Sequence, residues 1–213
     1  MLNVCVQAGT TEINDPTIDQ YHAVQLIADW PKRVDETLDQ LDLVGKRVMM
    51  WRFTQDPRVD PRWPGYHVIV CPNAQFANEP DIEGPLPNWY GEVTRLWKQA
   101  HGFLISVPYS DQSKYEPIGI TPDIWACHCY AGKFLNYEIA QAQARGRPVW
   151  ITEYAHQWAQ EDIEIELEPY LDAFVPVFAF IWQWLPPGNQ PGFDLRGVTL
   201  QRPKVGLRQG ALA

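Results

Sequence analysis

Two glutamates stand where a carboxylate is expensive to keep. Glu153 closes the apolar run Val149-Trp150-Ile151-Thr152, and Glu79 follows another run in the turn Asn78-Glu79-Pro80. A charge at the end of a buried strand costs free energy unless it is paired or used. Two facing carboxyl groups, one protonated and one ionised, suit the cleavage of an acetal. One gives a proton to the leaving oxygen, and the other attacks the anomeric carbon or activates water. The plain alternatives are a solvated loop carboxylate for Glu79 and a strand-end ion pair with Arg52 for Glu153. His128, in Cys127-His128-Cys129-Tyr130, is either part of the same site or a hydrogen-bonded core histidine.

Spacing along the chain does not bring these groups together; the elements must. Short apolar runs recur at Leu2–Ala8, Arg47–Phe53, Tyr66–Pro72, Phe103–Val107, Asp123–Tyr130, Val149–Tyr154 and Phe178–Leu185, with Tyr21–Ile27 as an eighth. They are rich in Val, Ile, Phe, Trp and Cys, as strands covered on both faces should be. Helices are expected over Val34–Leu43, Asn88–His101 (Asn-capped), Phe134–Ala144 and Ile163–Val177, and loops over Thr10–Asp19 and Asp56–Gly65. Strand and helix in alternation imply parallel βα units. Eight of them predict an α/β fold, a compact (β/α)8 TIM-type barrel with shortened N-terminal units and loops. One domain covers 1–213. If Glu153 faces the barrel interior, strict alternation sends Ile151 and Val149 inward and Trp150 outward. On the sixth strand it sends His128 and Tyr130 inward, and Cys127, Cys129 and Trp125 outward.

Asn78-Glu79-Pro80 after the fourth strand and Ile151-Thr152-Glu153-Tyr154 ending the seventh resemble the motifs of clan A retaining glycoside hydrolases. The resemblance covers roughly Val48 to Leu185. It implies that Glu79 is the acid/base and Glu153 the nucleophile. It also implies that Asn78 binds the hydroxyl next to the reacting carbon, and that His128 or Tyr130 positions the nucleophile. Trp182, ending the eighth strand, would form the floor under the sugar. The clan's arginine near strand two and histidine near strand three do not transfer cleanly, since Arg52 lies on the third strand and His22 near the second. Arg52 and Trp51 are added as substrate-binding candidates, with Trp89, Trp158 and Trp184 as further subsite tryptophans. The implied activity is a small retaining β-glycosidase, endo-acting on a polysaccharide. The rival readings are a non-catalytic carbohydrate-binding barrel and a phage-type cell-wall hydrolase.

Composition narrows the field further. The chain has 213 residues, 46% of them hydrophobic and 20% charged, which is ordinary globular composition. A net charge of −9 offers nothing to nucleic acid or an anionic membrane, so the expected partner is an oligo- or polysaccharide. No apolar run approaches a membrane span. The N-terminus carries no basic stretch of a signal peptide, so the expectation is a cytoplasmic protein or one released by phage lysis or another route. Ten tryptophans are many, and flat apolar faces such as sugar rings are one use for them. The four cysteines, Cys5, Cys71, Cys127 and Cys129, lie in β-like runs and read as small buried hydrophobes. They allow two disulfides in three connectivities, although reduced thiols are expected. No second Cys pair supports zinc at Cys127-His128-Cys129, so neither metal nor cofactor is expected. An aldolase or isomerase barrel lacks its strand-end lysine and phosphate-binding glycines here, and no GxGxxG or P-loop follows any strand.

Overall fold

Eight parallel strands carry the computed structural model, which describes residues 2–7, 23–28, 48–80, 84–108, 120–130, 146–155 and 177–180. For 2–7, 28, 129, 130, 155 and 177–180 the description is of the backbone alone. The strands are β1 (Leu2–Gln7), β2 (Val24–Ala28), β3 (Val48–Phe53), β4 (Asn73–Phe76), β5 (Phe103–Ile105), β6 (Trp125–Tyr130), β7 (Val149–Ala155) and β8 (Val177–Phe180). Their order in the sheet is β5-β4-β3-β2-β1-β8-β7-β6, every pair parallel. A parallel bridge between Ile105 and Ile124 links the β5 and β6 sides. Side chains from distant strands also meet. Arg52 on β3 pairs with Glu153 on β7, although four strand spacings would hold them about 19 Å apart in a flat sheet. The sheet therefore curls until its inner face meets itself.

Two described helices accompany the strands, α1 (Tyr66–Ile69) and α2 (Tyr90–Gln99), with a single 3-10 turn at Pro57–Val59. Here the expectation for Tyr66–Pro72 needs correcting. That run was read as a strand, but it opens as a helical turn, and the fourth strand is the more polar Asn73–Phe76. A short apolar run fits either conformation, and anchoring decides this one. Tyr66 is buried with its hydroxyl on Asp60, while Val68 and Ile69 face solvent. The following strand was overlooked because Asn73 and Gln75 make it look like loop. The helix expected at Asn88–His101 is present as α2, although Trp89 rather than Asn88 is its N-cap residue and makes no side-chain cap. His101 ends it at φ 65°, and Gly102 follows where any Cβ would lie 2.2 Å from the Trp97 indole. The expected helices Val34–Leu43, Phe134–Ala144 and Ile163–Val177 lie outside the described residues apart from Val177, which begins β8, and the loop Thr10–Asp19 lies outside them too.

The core has two compartments. Outside β3 and β4, Trp51, Phe53, Tyr66, Phe76, Trp63 and Trp97 form a continuous ring stack with centroids 5.2–6.0 Å apart. Inside, Met50, Ile105, Ile124, Ala126 and Trp150 form one buried cluster. Trp150 was expected to face outward, and the register explains the difference. Cys127 pairs with Ile151 but His128 with Glu153, so Thr152 is an extra residue. That bulge resets the alternation, and Trp150 and Glu153 both lie on the inner side. Cys71 and Cys127 are both buried. Burial pushes the Cys71 thiol up to about 12, which leaves it inert. No described helix is long and apolar enough to cross a membrane.

Candidate active site

Each functional side chain comes from the C-terminal part of its strand, the end at which barrel enzymes place their chemistry. Arg52 is the fifth residue of β3, His128 the fourth of β6 and Glu153 the fifth of β7. Glu79 follows β4 by a turn with an unusual backbone. Ala77, buried and without the freedom of glycine, adopts φ 64°, a conformation costing a non-glycine residue about 1 kcal/mol. The turn is tied down on both sides. The Ala77 N–H donates to the Phe53 carbonyl at 2.8 Å, and the Gln75 amide donates to the Ala77 carbonyl at 3.3 Å. Pro80 biases the Glu79 backbone towards extended conformations. Asn78 is half-buried on the same turn.

The four groups form one connected cluster. Arg52 Nη1 donates to Glu153 Oε1, both side chains being almost fully buried. His128 Nδ1 lies 2.7 Å from Glu79 Oε1 and 3.2 Å from Glu153 Oε2, while its Nε2 lies 3.5 Å from Arg52 Nη2. A guanidinium only donates, so the Nε2 lone pair faces Arg52 and the proton belongs on Nδ1, towards the two glutamates. The histidine thereby spans the two glutamates. The ion pair weighed for Glu153 against Arg52 is present, and His128 is packed between the carboxylates rather than into an apolar core.

Sequence reasoning missed Gln25 on β2, which is fully buried. With its amide turned to satisfy both neighbours, its nitrogen donates to the Thr152 carbonyl at 2.8 Å and its oxygen accepts from Arg52 Nη2 at 2.8 Å. The signal was available. A glutamine inside Val-Gln-Leu-Ile-Ala, and an arginine inside Met-Met-Trp-Arg-Phe, each need a buried partner.

Trp51 does not join the site. It is 1% exposed and stacks on Phe53 and Tyr66 in the outer compartment, so its expected contact with substrate is corrected: alternation puts it on the face opposite Arg52. Trp89 is half-buried at the start of α2. The side chain of Tyr130, and Trp182, Trp158, Trp184 and His22, lie outside the described residues.

One ligand atom each from Glu79, His128 and Glu153 lies within 4.8 Å of the others, a grouping that could offer three ligands to a cation. The Arg52 guanidinium on Glu153 opposes that use, because it occupies an oxygen and repels a second positive charge.

No family model matches the chain, and no curated protein was found to be similar to it. Solved structures do resemble it. One is a family 128, subgroup II, endo-β-1,3-glucanase from Pseudomonas viridiflava, with a TM-score of 0.62 at 14% identity, covering 93% of each chain. Another is a β-mannanase from Thermomonospora fusca, at TM-score 0.55 and 12% identity, covering 92% of this chain and 82% of the other. A third is the catalytic domain of a family 53 glycoside hydrolase from Ignisphaera aggregans, at 0.52 and 10%, covering 86% and 81%. Likeness at such identities is likeness of fold.

Proposed function

We propose that this chain is a retaining β-glycoside hydrolase of clan A type, endo-acting on a polysaccharide, with its sheet closed as a (β/α)8 barrel. One observation carries the reading: a Glu79 oxygen, just after β4, and a Glu153 oxygen, on β7, lie within 4.8 Å of each other although the two strands are not neighbours in the sheet. Double displacement uses carboxyl groups about 5–5.5 Å apart, whereas inversion needs about 6.5–9.5 Å to admit a water. Arg52 sits on Glu153 and not on Glu79. That asymmetry favours Glu153 as the ionised nucleophile and leaves Glu79 to carry the proton. Glu153 attacks the anomeric carbon while Glu79 protonates the departing oxygen and the glycosidic bond breaks. Glu79 then takes a proton from water, which displaces Glu153 from the sugar. The Ile105–Ile124 bridge and the contacts across the interior support closure. Asn78 at the 2-hydroxyl, Tyr130 beside the nucleophile and Trp182 beneath the sugar belong to the same proposal.

The fold likeness makes β-1,3-glucan and β-mannan the first substrates to try, followed by β-1,4-glucan, xylan and peptidoglycan. Glu79→Ala and Glu153→Ala should each lower turnover by about 10²–10⁴-fold. On activated aryl glycosides azide should then separate the two. Glu153→Ala should give the glycosyl azide of inverted configuration, and Glu79→Ala the retained one. Near-normal turnover in both variants would sink the assignment. Glycan binding with no product from the unaltered chain would point to a non-catalytic binding barrel.

A further inference from the structure

The bulge in β7 is what aims Glu153, and something must hold the bulge. Thr152 is the residue left over when Cys127 pairs with Ile151 and His128 with Glu153, so the ladder is locally disrupted there. The side chain that reaches the Thr152 carbonyl comes from across the interior. It is Gln25 of β2, 2.8 Å away through its amide nitrogen, and its amide oxygen accepts from Arg52 Nη2 at 2.8 Å. A single buried amide therefore touches the backbone immediately before Glu153 and the guanidinium bound to Glu153. We infer that Gln25 is a positioning residue for the nucleophile: it locks the Thr152 bulge and the Arg52 guanidinium in one geometry and so fixes where the Glu153 carboxylate points. The inference rests on the reading of Glu153 as nucleophile. An amide suits the place because it donates to a carbonyl and accepts from a cation at once. A carboxylate would repel the carbonyl and draw Arg52 away from Glu153.

That contrast supplies the test. Gln25→Met, similar in volume but apolar, should lower kcat by about 10–100-fold while KM changes less than about threefold, since no substrate contact is removed. Gln25→Glu should behave differently with pH. When protonated, the introduced carboxyl reproduces the amide, its hydroxyl donating to Thr152 and its carbonyl accepting from Arg52. Relative to the unaltered chain, this variant should be nearest to normal at low pH and lose ground as pH rises, a profile a merely space-filling role would not produce. Gln25→Glu with a pH profile parallel to the unaltered chain, or Gln25→Met with unchanged kcat, overturns the inference. If the unaltered chain cleaves no glycan, the hydrolase reading fails by itself. The clamp is then judged from the Arg52 guanidinium protons by NMR. They should exchange slowly in the unaltered chain and fast in Gln25→Met, and equal exchange in the two overturns the inference.

Discussion

Trp51 and Arg52 are neighbours in the chain and equally hidden, at 1% and 2% exposure, yet opposite physics holds them. Trp51 belongs to a layer of six rings drawn from residues 51 to 97, stacked face to face or edge to face. Dispersion and burial there are shared among many contacts, none of them directional enough to be indispensable. Arg52 belongs to a polar cluster drawn from residues 25 to 153, where each group is held by a few directional partners. Removing a ring leaves its neighbours apolar and still packed. Removing a charge leaves its partner buried and uncompensated. Stability in the first region is therefore divisible, and in the second it is not.

The largest expected effect breaks the polar cluster. Arg52→Met keeps most of the volume but removes the guanidinium that offsets the buried Glu153 charge and donates to the Gln25 oxygen. It should cost about 3–5 kcal/mol, the range for removing one member of a buried pair. The denaturant midpoint should fall with an unchanged m-value. Adding Glu153→Gln to that variant should restore part of the loss, because the orphaned charge is gone. If the single variant is as stable as the parent, or the double variant loses the sum of two independent changes, the cluster is not interdependent and the contrast fails.

The same contrast explains what was legible in the sequence. Strands with continuous apolar runs were visible because covering both faces leaves no polar positions to confuse the pattern. β4 was not, because Asn73 and Gln75 face the curled interior, and interior polarity looks like loop. That Glu79 and Glu153 meet in one cluster was legible because a carboxylate at the end of an apolar run needs a partner. Trp150 was misplaced by strict alternation, since one extra residue, Thr152, reverses it. Trp51 was misassigned for a related reason. Its burial depends on Tyr66 and Phe53 covering it, and those partners are identifiable only once α1 is known to be helical.

Asp60 lies between the two regimes and sharpens the comparison at acid pH. Its carboxylate accepts from Arg62 Nε at 3.0 Å, Arg62 Nη2 at 2.7 Å, the Arg62 backbone N–H at 2.9 Å and the Tyr66 hydroxyl. The Arg62 side chain is the largest influence and, against the opposing effect of burial, holds the Asp60 carboxyl down at about 2. Burial first, and then Asp60, push the Tyr66 phenol upward. An unfolded aspartate titrates near 3.9. The folded value is lower, so the stabilisation is present above about pH 4 and is lost as pH falls towards 2. Because Arg62 is one-third exposed, solvent screening limits the contribution to about 1–2 kcal/mol. The stability difference between the unaltered chain and Asp60→Asn should shrink between pH 5 and pH 2. A difference that stays constant over that window would mean that Asp60 is held by shape alone.

The smallest effect belongs to Trp51, and its size is the point. Trp51→Phe removes part of a buried ring, which by itself leaves a small cavity and lost area. It also removes an indole N–H that is buried with no acceptor among the described residues, a group whose burial is itself unfavourable. The two terms oppose each other. Phenylalanine retains a face to stack on Phe53 and Tyr66, now 5.4 and 5.8 Å away by ring centroid. The net cost should therefore be about 1 kcal/mol or less. On the proposed hydrolase reading, KM for a glycan substrate should not change, because the ring lies on the face of β3 opposite the charged cluster. A several-fold rise in KM with stability intact would mean that the ring meets substrate after all. The division between an aromatic layer that holds the strands and a polar cluster that works at their ends would then be drawn in the wrong place.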